Sequence, residues 1–397
     1  MQNHFIIELL GIKDKHVELW DICDDIPGKL TVELHTKVKR QKCPFCKKRT
    51  KRVHGYRNQN IQGPLLSHTT VTMCLRKRRY LCTECHRTFY ERLQMVDHYQ
   101  RCANSLQITA LTYAAMGSFT TAARLTGMTT NRLIRLFDKR ETKKKQVLPR
   151  TIAIDEFKGD AGGERFQTVV ADVENKEIIE ILPDRKVDTI KKYLQSVDTG
   201  RVEIVVMDLS KAFKQAVRKA LDSPLIIADR FHYMRQVYWA LDEVRREVQH
   251  EMSKSERIRM KRSKKLLWKS PYKLSKEELN KVNDLIESYP RLKEAYHLKN
   301  ELDQWFKESS KENAKDGLET CMIRMQESGI EAFHRVSKTF KRWKEEILNS
   351  FTYPFSNGYI EGVNNTIKVL KRNSYGIKSF ERLRNKILWH QEIKKII

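Results

Sequence analysis

The chain has 397 residues and carries 77 lysines and arginines against 50 aspartates and glutamates, a formal net charge of +27 with pI ≈ 9.7. That excess favours a polyanionic partner through phosphate contacts and counterion release, and nucleic acid leads the candidates. No run of about 18 apolar residues occurs, and Met1-Gln2-Asn3-His4 opens neither a charged leader nor a signal cleavage site, so a membrane-bound chain is disfavoured, a cytoplasmic one expected, and the length suits two or three domains.

Residues 1–95 are read as an N-terminal segment built on a zinc ribbon. Cys43-Pro44-Phe45-Cys46 and Cys82-Thr83-Glu84-Cys85 are two like pairs, whereas Cys23, Cys74, Cys102 and Cys321 are scattered. In a reducing compartment such pairs point to Zn²⁺ and not to disulfides. Two residues between thiolates let one tight turn present both sulfurs to a tetrahedral ion, and two turns complete a structural site. The intervening residues, 47 to 81, exceed the usual ribbon spacing; His54 and His86 read as ordinary histidines. Positive charge surrounds the pairs: Lys47, Lys48, Arg49 and Arg52 follow the first, and Arg76-Lys77-Arg78-Arg79 leads into the second. With Phe45, Tyr56, Tyr80, Phe89 and Tyr90 interleaved, these runs predict DNA contact over the alternative of a merely solvated face.

Residues 96–140 predict a helix-turn-helix. Ser118 to Leu125 reads as one helix, Thr126-Gly127-Met128 as the turn, and Thr129 to Phe137 as the second helix. The second helix offers Thr130, Asn131, Arg132 and Arg135 outward, and Leu133, Ile134, Leu136 and Phe137 as its apolar positions. An ordinary helical hairpin is the plain alternative. Residues 141–150, charged and ending in Pro149-Arg150, read as a linker.

From residue 151 to the end, strand-like runs at 151–155, 166–173, 177–182, 202–207 and 225–228 enclose helix-like runs at 187–197 and 210–221. That order predicts a mixed sheet opening with a meander, the order of an RNase H-like domain. From about 233 to 350 strand character gives way to charged helical spacing, read as an insertion; Pro290 and irregular heptads disfavour a coiled coil. Trp239 and Trp343 in this insertion read as helix packing, with base stacking the open alternative.

Three carboxylates stand out. Asp155 ends the run Thr151-Ile152-Ala153-Ile154, Asp208 ends Val202 to Met207, and Glu361 lies in Gly358-Tyr359-Ile360-Glu361-Gly362 at the head of a basic helical segment carrying Lys368, Lys371 and Arg372. Each has a plainer reading: Glu156 beside Asp155 permits a shift by one, Asp208 suits a helix cap, and Glu361 suits a helix start. Asp229 and His232 form an Asp-x2-His pair after another strand-like run, whose plainer reading is structural, Asp229 ending a strand and His232 hydrogen-bonding within the core.

Together with Ile154-Asp155-Glu156-Phe157, Val206-Met207-Asp208-Leu209-Ser210, Ala228-Asp229-Arg230-Phe231-His232 and Ser356 to Asn365, the chain from about residue 40 to 395 resembles the ISL-three family of insertion-sequence transposases. The resemblance implies a multidomain α/β protein: a zinc ribbon, a helix-turn-helix, and an RNase H-like DDE domain interrupted by a helical insertion. It implies two Mg²⁺ or Mn²⁺ ions held by Asp155, Asp208 and Glu361, Asp155 between them, for in-line displacement at phosphorus, with Asp229 and His232 supporting the site and not ligating the ions. It further implies binding to the terminal inverted repeats, cleavage and strand transfer on double-stranded element ends and target DNA, a homodimer or higher oligomer that synapses two ends, and residence on the bacterial nucleoid. A domesticated, non-cleaving DNA-binding regulator and a metal-dependent nuclease without strand transfer are the alternatives; the intact triad weighs against the first, and two sequence-reading modules upstream weigh against the second.

Overall fold

The computed structural model describes residues 2–66, 69–140 and 145–395. The chain divides into two compact units, one of Met1–Thr142, Val369–Gly376 and Asn385–Ile397, the other of Lys143–Lys368 and Ile377–Arg384.

In the first unit, α1 (Gln2–Leu9) precedes a hairpin of β1 (Val17–Ile26) and β2 (Lys29–Thr36) that turns at Gly28, whose φ of +76° suits a residue without a β-carbon. Two short strands, β3 (Gln41–Lys42) and β4 (Arg49–Thr50), pair with each other, and the long β5 (Val53–Leu66) and β6 (Thr69–Leu81) form an antiparallel ribbon joined by β7 (Thr88–Tyr90). The sheet order is β1-β2-β6-β5, with β7 on β6 and β2 parallel to β6. Period-two alternation decides the faces: Val71, Met73 and Leu75 turn inward against Val32, Leu34 and Ile61, while Thr72 and Arg76 are exposed. The β1–β2 hairpin lies ahead of the first cysteine pair, where the sequence predicts no strand.

Three helices follow, α2 (Asn104–Met116), α3 (Phe119–Thr126) and α4 (Thr130–Asp138). Ala110, Ala114, Ala115, Ala122 and Ala123 allow close approach, and Leu106, Leu133 and Phe137 fill the remaining space with Trp389 and Ile393 from the last helix. The starts of α3 and α4 are fixed by caps: the hydroxyl of Ser118 accepts from the Thr121 N–H at 3.0 Å, and that of Thr129 from the Arg132 N–H at 3.3 Å. Between them Gly127 stops α3 at φ +64°.

The second unit is built on β8 (Thr151–Ala161), β9 (Glu164–Asp172), β10 (Glu177–Leu182), β11 (Ile204–Met207) and β12 (Leu225–Ala228), with α5 (Val187–Gln195) and α6 (Lys211–Ala220) in the crossovers. The sheet order is β10-β9-β8-β11-β12; the first three strands are an antiparallel meander, and β11 runs parallel to both β8 and β12. All four residues of β11 are buried, as an unbroken apolar run covered on both faces requires. Of the charged linker, residues 141–144 lie outside the described residues; Val147 then forms a bridge with Asp198.

Helices occupy the stretch read as an insertion: α7 (Arg230–Val248), α8 (Lys254–Arg262), α9 (Lys264–Trp268), α10 (Lys276–Glu287), α11 (Pro290–Glu308), α12 (Ala314–Glu327), α13 (Glu331–Arg342) and α14 (Lys344–Thr352). They share one core with the sheet, in which Ile154, Val205 and Met207 join Tyr233, Val237, Leu241, Phe333 and Trp343. Pro290 opens α11, where its missing N–H removes no helical bond. The chain ends in α15 (Gly358–Asn373) and α16 (Phe380–Lys394). Among the described residues no helix is long and apolar enough to cross a membrane.

Candidate active site and metal centre

Parallel pairing sets acids side by side. Met207 on β11 is level with Ile154 on β8 and with Ala228 on β12. The next residue along each chain is an acid: Asp155, Asp208, Asp229. Neighbouring strands lie about 4.8 Å apart, so the three stand in a row where β11 and β12 end, while β8, read from the sequence as ending at Asp155, runs on to Ala161 against β9. Asp155 and Asp229 are buried and Asp208 is half-buried. Burial first, then the charges of Asp208 and Asp229, push the Asp155 carboxyl up to about 7, although the Glu156 N–H donates to it. Burial and then Glu156 push Asp208 up to about 6, opposed by the Ser210 N–H and the Arg235 guanidinium. Carboxylates crowded in this way favour a proton or a cation.

Helix α15 meets this row. Asn364 Nδ2 donates to Asp155 Oδ2 at 3.1 Å and to the Glu156 carbonyl at 3.4 Å. Glu361 lies three residues earlier, hence on the same stripe of the helix, and is half-buried. Asn364, and not Glu361, makes the hydrogen bond to Asp155. Asp229 holds the approach to that helix: its Oδ1 accepts from the Asn357 N–H at 3.0 Å while its Oδ2 caps α7 by accepting from the His232 N–H at 3.4 Å. His232 Nδ1 pairs with the Arg235 guanidinium at 2.9 Å, and burial together with that cation holds the imidazole below its ordinary pKa. Glu156, the neighbour that could have displaced Asp155, is instead tied to Arg185 at 2.6 Å.

Several polar atoms around the row have no hydrogen-bond partner among the described residues: both ends of the fully buried Asn357 amide, Asn364 Oδ1 and Arg235 Nε. Buried groups of this kind are ordinarily satisfied. Oxygen donors on crowded acids, with unfilled amides beside them, fit a hydrated divalent cation. Asn357, Asn364 and Arg235 were not assigned roles from the sequence; the signal for the last two was helical spacing, Asn364 one turn past Glu361 and Arg235 one turn past His232.

The four cysteines close into a metal centre. Cys43 Sγ lies 3.6 Å from Cys85 Sγ and Cys46 Sγ 3.4 Å from Cys82 Sγ, and all four sulfurs are within 4.8 Å of one another. Bonds of about 2.3 Å to tetrahedral zinc would set the sulfurs roughly 3.8 Å apart, so the residues fit that ion. Both knuckles are built alike. The Cys43 N–H donates to the Lys48 carbonyl and the Lys47 N–H to Cys43; the Cys82 N–H donates to the Arg87 carbonyl and the His86 N–H to Cys82. Lys47 and His86 take left-handed φ of 65° and 53° at equivalent places. The Cys85 N–H, with further help from Glu84, holds the Cys82 thiol down to about 6 against the effect of burial, toward the thiolate that a metal takes.

Of the residues read as DNA contacts, Lys47, Lys48, Arg49, Arg52, Arg76 and Arg79 are exposed and Arg78 is half-buried. Lys77 differs: it falls on the inward face of β6, where burial lowers its pKa. On α4, Asn131 and Arg135 are exposed and Thr130 and Arg132 half-buried, with a cleft beside them lined by Arg132, Arg135, Lys139 and Arg140. On α15, Lys368 and Arg372 are exposed and Lys371 half-buried.

A family model for the transposase DDE domain of the ISL3 type matches residues 152–387, and a second, described as the zinc-finger of transposase IS204/IS1001/IS1096/IS1165, matches residues 39–85. The chain is 25% identical over 371 residues to the transposase for insertion sequence element IS1001 of Bordetella parapertussis, covering 89% of this chain and 90% of that one. It is 24% identical over 260 residues to the transposase for insertion sequence element IS1557 of Mycobacterium tuberculosis, covering 59% and 58%. A zinc ribbon ahead of a DDE domain defines a DNA strand-transferring enzyme. The chain belongs to the ISL3 family of transposases, as its motifs suggested.

Proposed function

We propose that this transposase binds the terminal inverted repeats of its element through the zinc module and α4, then nicks and joins DNA at a centre formed by Asp155, Asp208 and Glu361. The observation that carries the reading is the level pairing of β8 and β11, which sets Asp155 beside Asp208 under a helix whose Asn364 touches Asp155 and whose Glu361 is one turn away. The strand order, an antiparallel meander followed by two strands parallel to its first, supports an RNase H-like domain. The capped pair α3 and α4, joined through Gly127, supports a helix-turn-helix.

The three carboxylates would hold two Mg²⁺ or Mn²⁺ ions, which would supply activation of the attacking water or 3′-hydroxyl and stabilisation of the leaving oxygen. Asp155 within β8 and Asp208 just past the end of β11 contribute charge at fixed places; Asp229 and Asn357 hold α15 in register with them; Lys368, Lys371 and Arg372 offer cations to the phosphate track. Only the nucleophile differs between nicking and joining, so one centre serves both steps. Two ends must be brought together, for which we infer a dimer or larger assembly acting on the nucleoid.

Incubation of the purified protein with Mg²⁺ and DNA bearing the flanking repeats tests this: cleavage is expected, with loss by about three orders of magnitude or more in Asp208→Ala and Glu361→Gln. Cleavage that persists in either variant sinks the assignment. Binding is expected to weaken steeply with salt, because the exposed arginines and lysines neutralise phosphates; with six or more such contacts, affinity falls roughly 10³-fold between 50 and 200 mM salt. A flat salt response in a titration by fluorescence anisotropy would remove the basic module from the interface.

A further inference from the structure

We propose that the loop of residues 97–101 enters the minor groove of DNA beside the major groove taken by α4, with the phosphate strand between those grooves lying in the cleft that loop and helix share. The proposal rests on the reading of α4 as a recognition helix and adds a second reading element to it.

The cleft has a volume of ≈ 580 Å³ and is bordered by Arg132, Arg135, Lys139 and Arg140, from α4 and the residues just past it, and by Asp97 and Gln100 of the loop. Four cations meet one carboxylate there, and that carboxylate already accepts from Asn104 Nδ2 at 3.1 Å. Among the described residues Arg132, Arg135 and Lys139 join no ion pair, whereas Arg140 stands 3.7 Å from Glu392. Cations left without acids in a cleft suit a phosphate strand. In a B-form duplex such a strand is the ridge between the major and the minor groove, so a protein that grips it from two sides places one wall in each groove. Width decides which wall goes where: the major groove, about 12 Å wide, admits a helix, and the minor groove, about 6 Å wide, admits only a narrower segment. The loop is that segment.

Its build supports the assignment. Tyr99 at its tip is 88% exposed, and His98 and Arg101 are exposed beside it. Tyr99 also holds a left-handed φ of 62°, a conformation that is unfavourable for a bulky residue and that gathers at functional sites. The shape is nevertheless fixed from both ends. The Gln100 N–H donates back to the Asp97 carbonyl at 3.0 Å, Gln59 Nε2 donates to the Gln100 carbonyl at 2.8 Å, and the Gln62 N–H donates to the Arg101 carbonyl at 3.0 Å. A ring held out in water on a braced turn packs against nothing in its own unit. Arginine and glutamine side chains read the acceptors and the width of a minor groove, and a large ring beside them covers sugar and base edges.

The test is methylation footprinting of the full-length protein on duplex DNA bearing the terminal repeat, with Ca²⁺ in place of Mg²⁺ so that no strand is cut. Dimethyl sulfate reports guanine N7 in the major groove and adenine N3 in the minor groove. The wild-type protein is expected to protect N7 atoms in one major-groove segment and N3 atoms in the adjoining minor groove, within about half a helical turn, roughly 5 base pairs. Tyr99→Gly/Arg101→Ala, in which glycine keeps the left-handed turn, is expected to lose the N3 protection, to keep the N7 protection and to bind about tenfold more weakly. Tyr99→Phe keeps both protections. Asn131→Ala is expected to change the N7 pattern while leaving the N3 pattern in place. N7 protection without N3 protection in the wild-type protein, or N3 protection that survives Tyr99→Gly/Arg101→Ala, overturns the proposal and leaves α4 as the recognition helix; absence of N7 protection overturns both. Stabilisation of the protein by micromolar tripolyphosphate that is lost in Arg132→Ala/Arg135→Ala would assign the cleft to a small polyanion, and overturns the proposal as well.

Discussion

Asp155→Asn is expected to remove cleavage and strand transfer together, by about 10³-fold or more, while making the metal-free protein more stable at pH 8. The second half follows from the crowding of the row. The Asp155 carboxyl is raised from 3.8 to about 7, chiefly by burial and then by Asp208. Below about pH 4 it is protonated in the folded and unfolded chains alike, and burial of its charge costs nothing. Between pH 4 and 7 the folded chain binds a proton that the unfolded chain releases, so this group makes stability fall as pH rises. Above pH 7 the full cost is present, on the order of 4 kcal/mol for a shift of this size. An amide of the same shape never bears it. A divalent cation relieves the wild-type protein in the same range, so Mg²⁺ is expected to raise its melting temperature by several degrees at pH 8 and little at pH 5, where protons compete. The variant is expected to respond weakly to Mg²⁺ at either pH. Calorimetric scans in EDTA and in Mg²⁺ check both statements; matching wild-type and variant melting at pH 8 in EDTA would refute the account of the acidic row.

What could be read from the sequence was the part encoded locally. Apolar runs ended by acids marked β8 and β11 because strands covered on both faces need unbroken apolar residues, and the two Cys-x2-Cys turns marked the metal centre because thiolate spacing is set by one tight turn. The Gly127 turn separated α3 from α4, and capping residues marked the start of α4, for the same reason. Pairing across long separations was less legible. Lys77 belongs to a basic run, but alternation along β6 turns it inward, and the run alone does not give the phase of that alternation. Asn364 touches Asp155 across more than half the chain, and the helical spacing from Glu361 that marks it marks Asn365, four residues on, equally well. The Asp229 carboxylate has partners that its own neighbourhood does not announce: one oxygen accepts from the start of α7 and the other from the Asn357 N–H. The β1–β2 hairpin is not legible in the sequence because polar residues interrupt its alternation, as Asp21, Asp24 and Asp25 do in β1.

Removing zinc is expected to disable DNA binding without dissolving the catalytic unit. The four cysteines share their small apolar cluster with Tyr80, Phe89 and Val53, far less burial than the sheet of the second unit enjoys. A module of that size depends on its metal, whose binding is worth on the order of 10 kcal/mol in comparable zinc peptides. Loss of the ion frees both knuckles, and with them the placement of Lys47, Lys48, Arg49 and Arg52. Specific recognition should then drop toward the non-specific level, a fall of about 10³-fold or more in affinity for the element ends. The second unit has its own core and, among its residues, only Cys321, buried in that core. The variant Cys43→Ser/Cys82→Ser and the chelated wild-type protein are therefore expected to release zinc to a chromogenic chelator, to lose the gel shift of end DNA, and to keep most of their helical circular dichroism with a cooperative melt. Undiminished affinity for the ends in the double variant would take recognition away from the zinc module. A loss of the whole helical signal would instead make the ion a requirement for folding of both units, a dependence that their separate cores give no reason to expect.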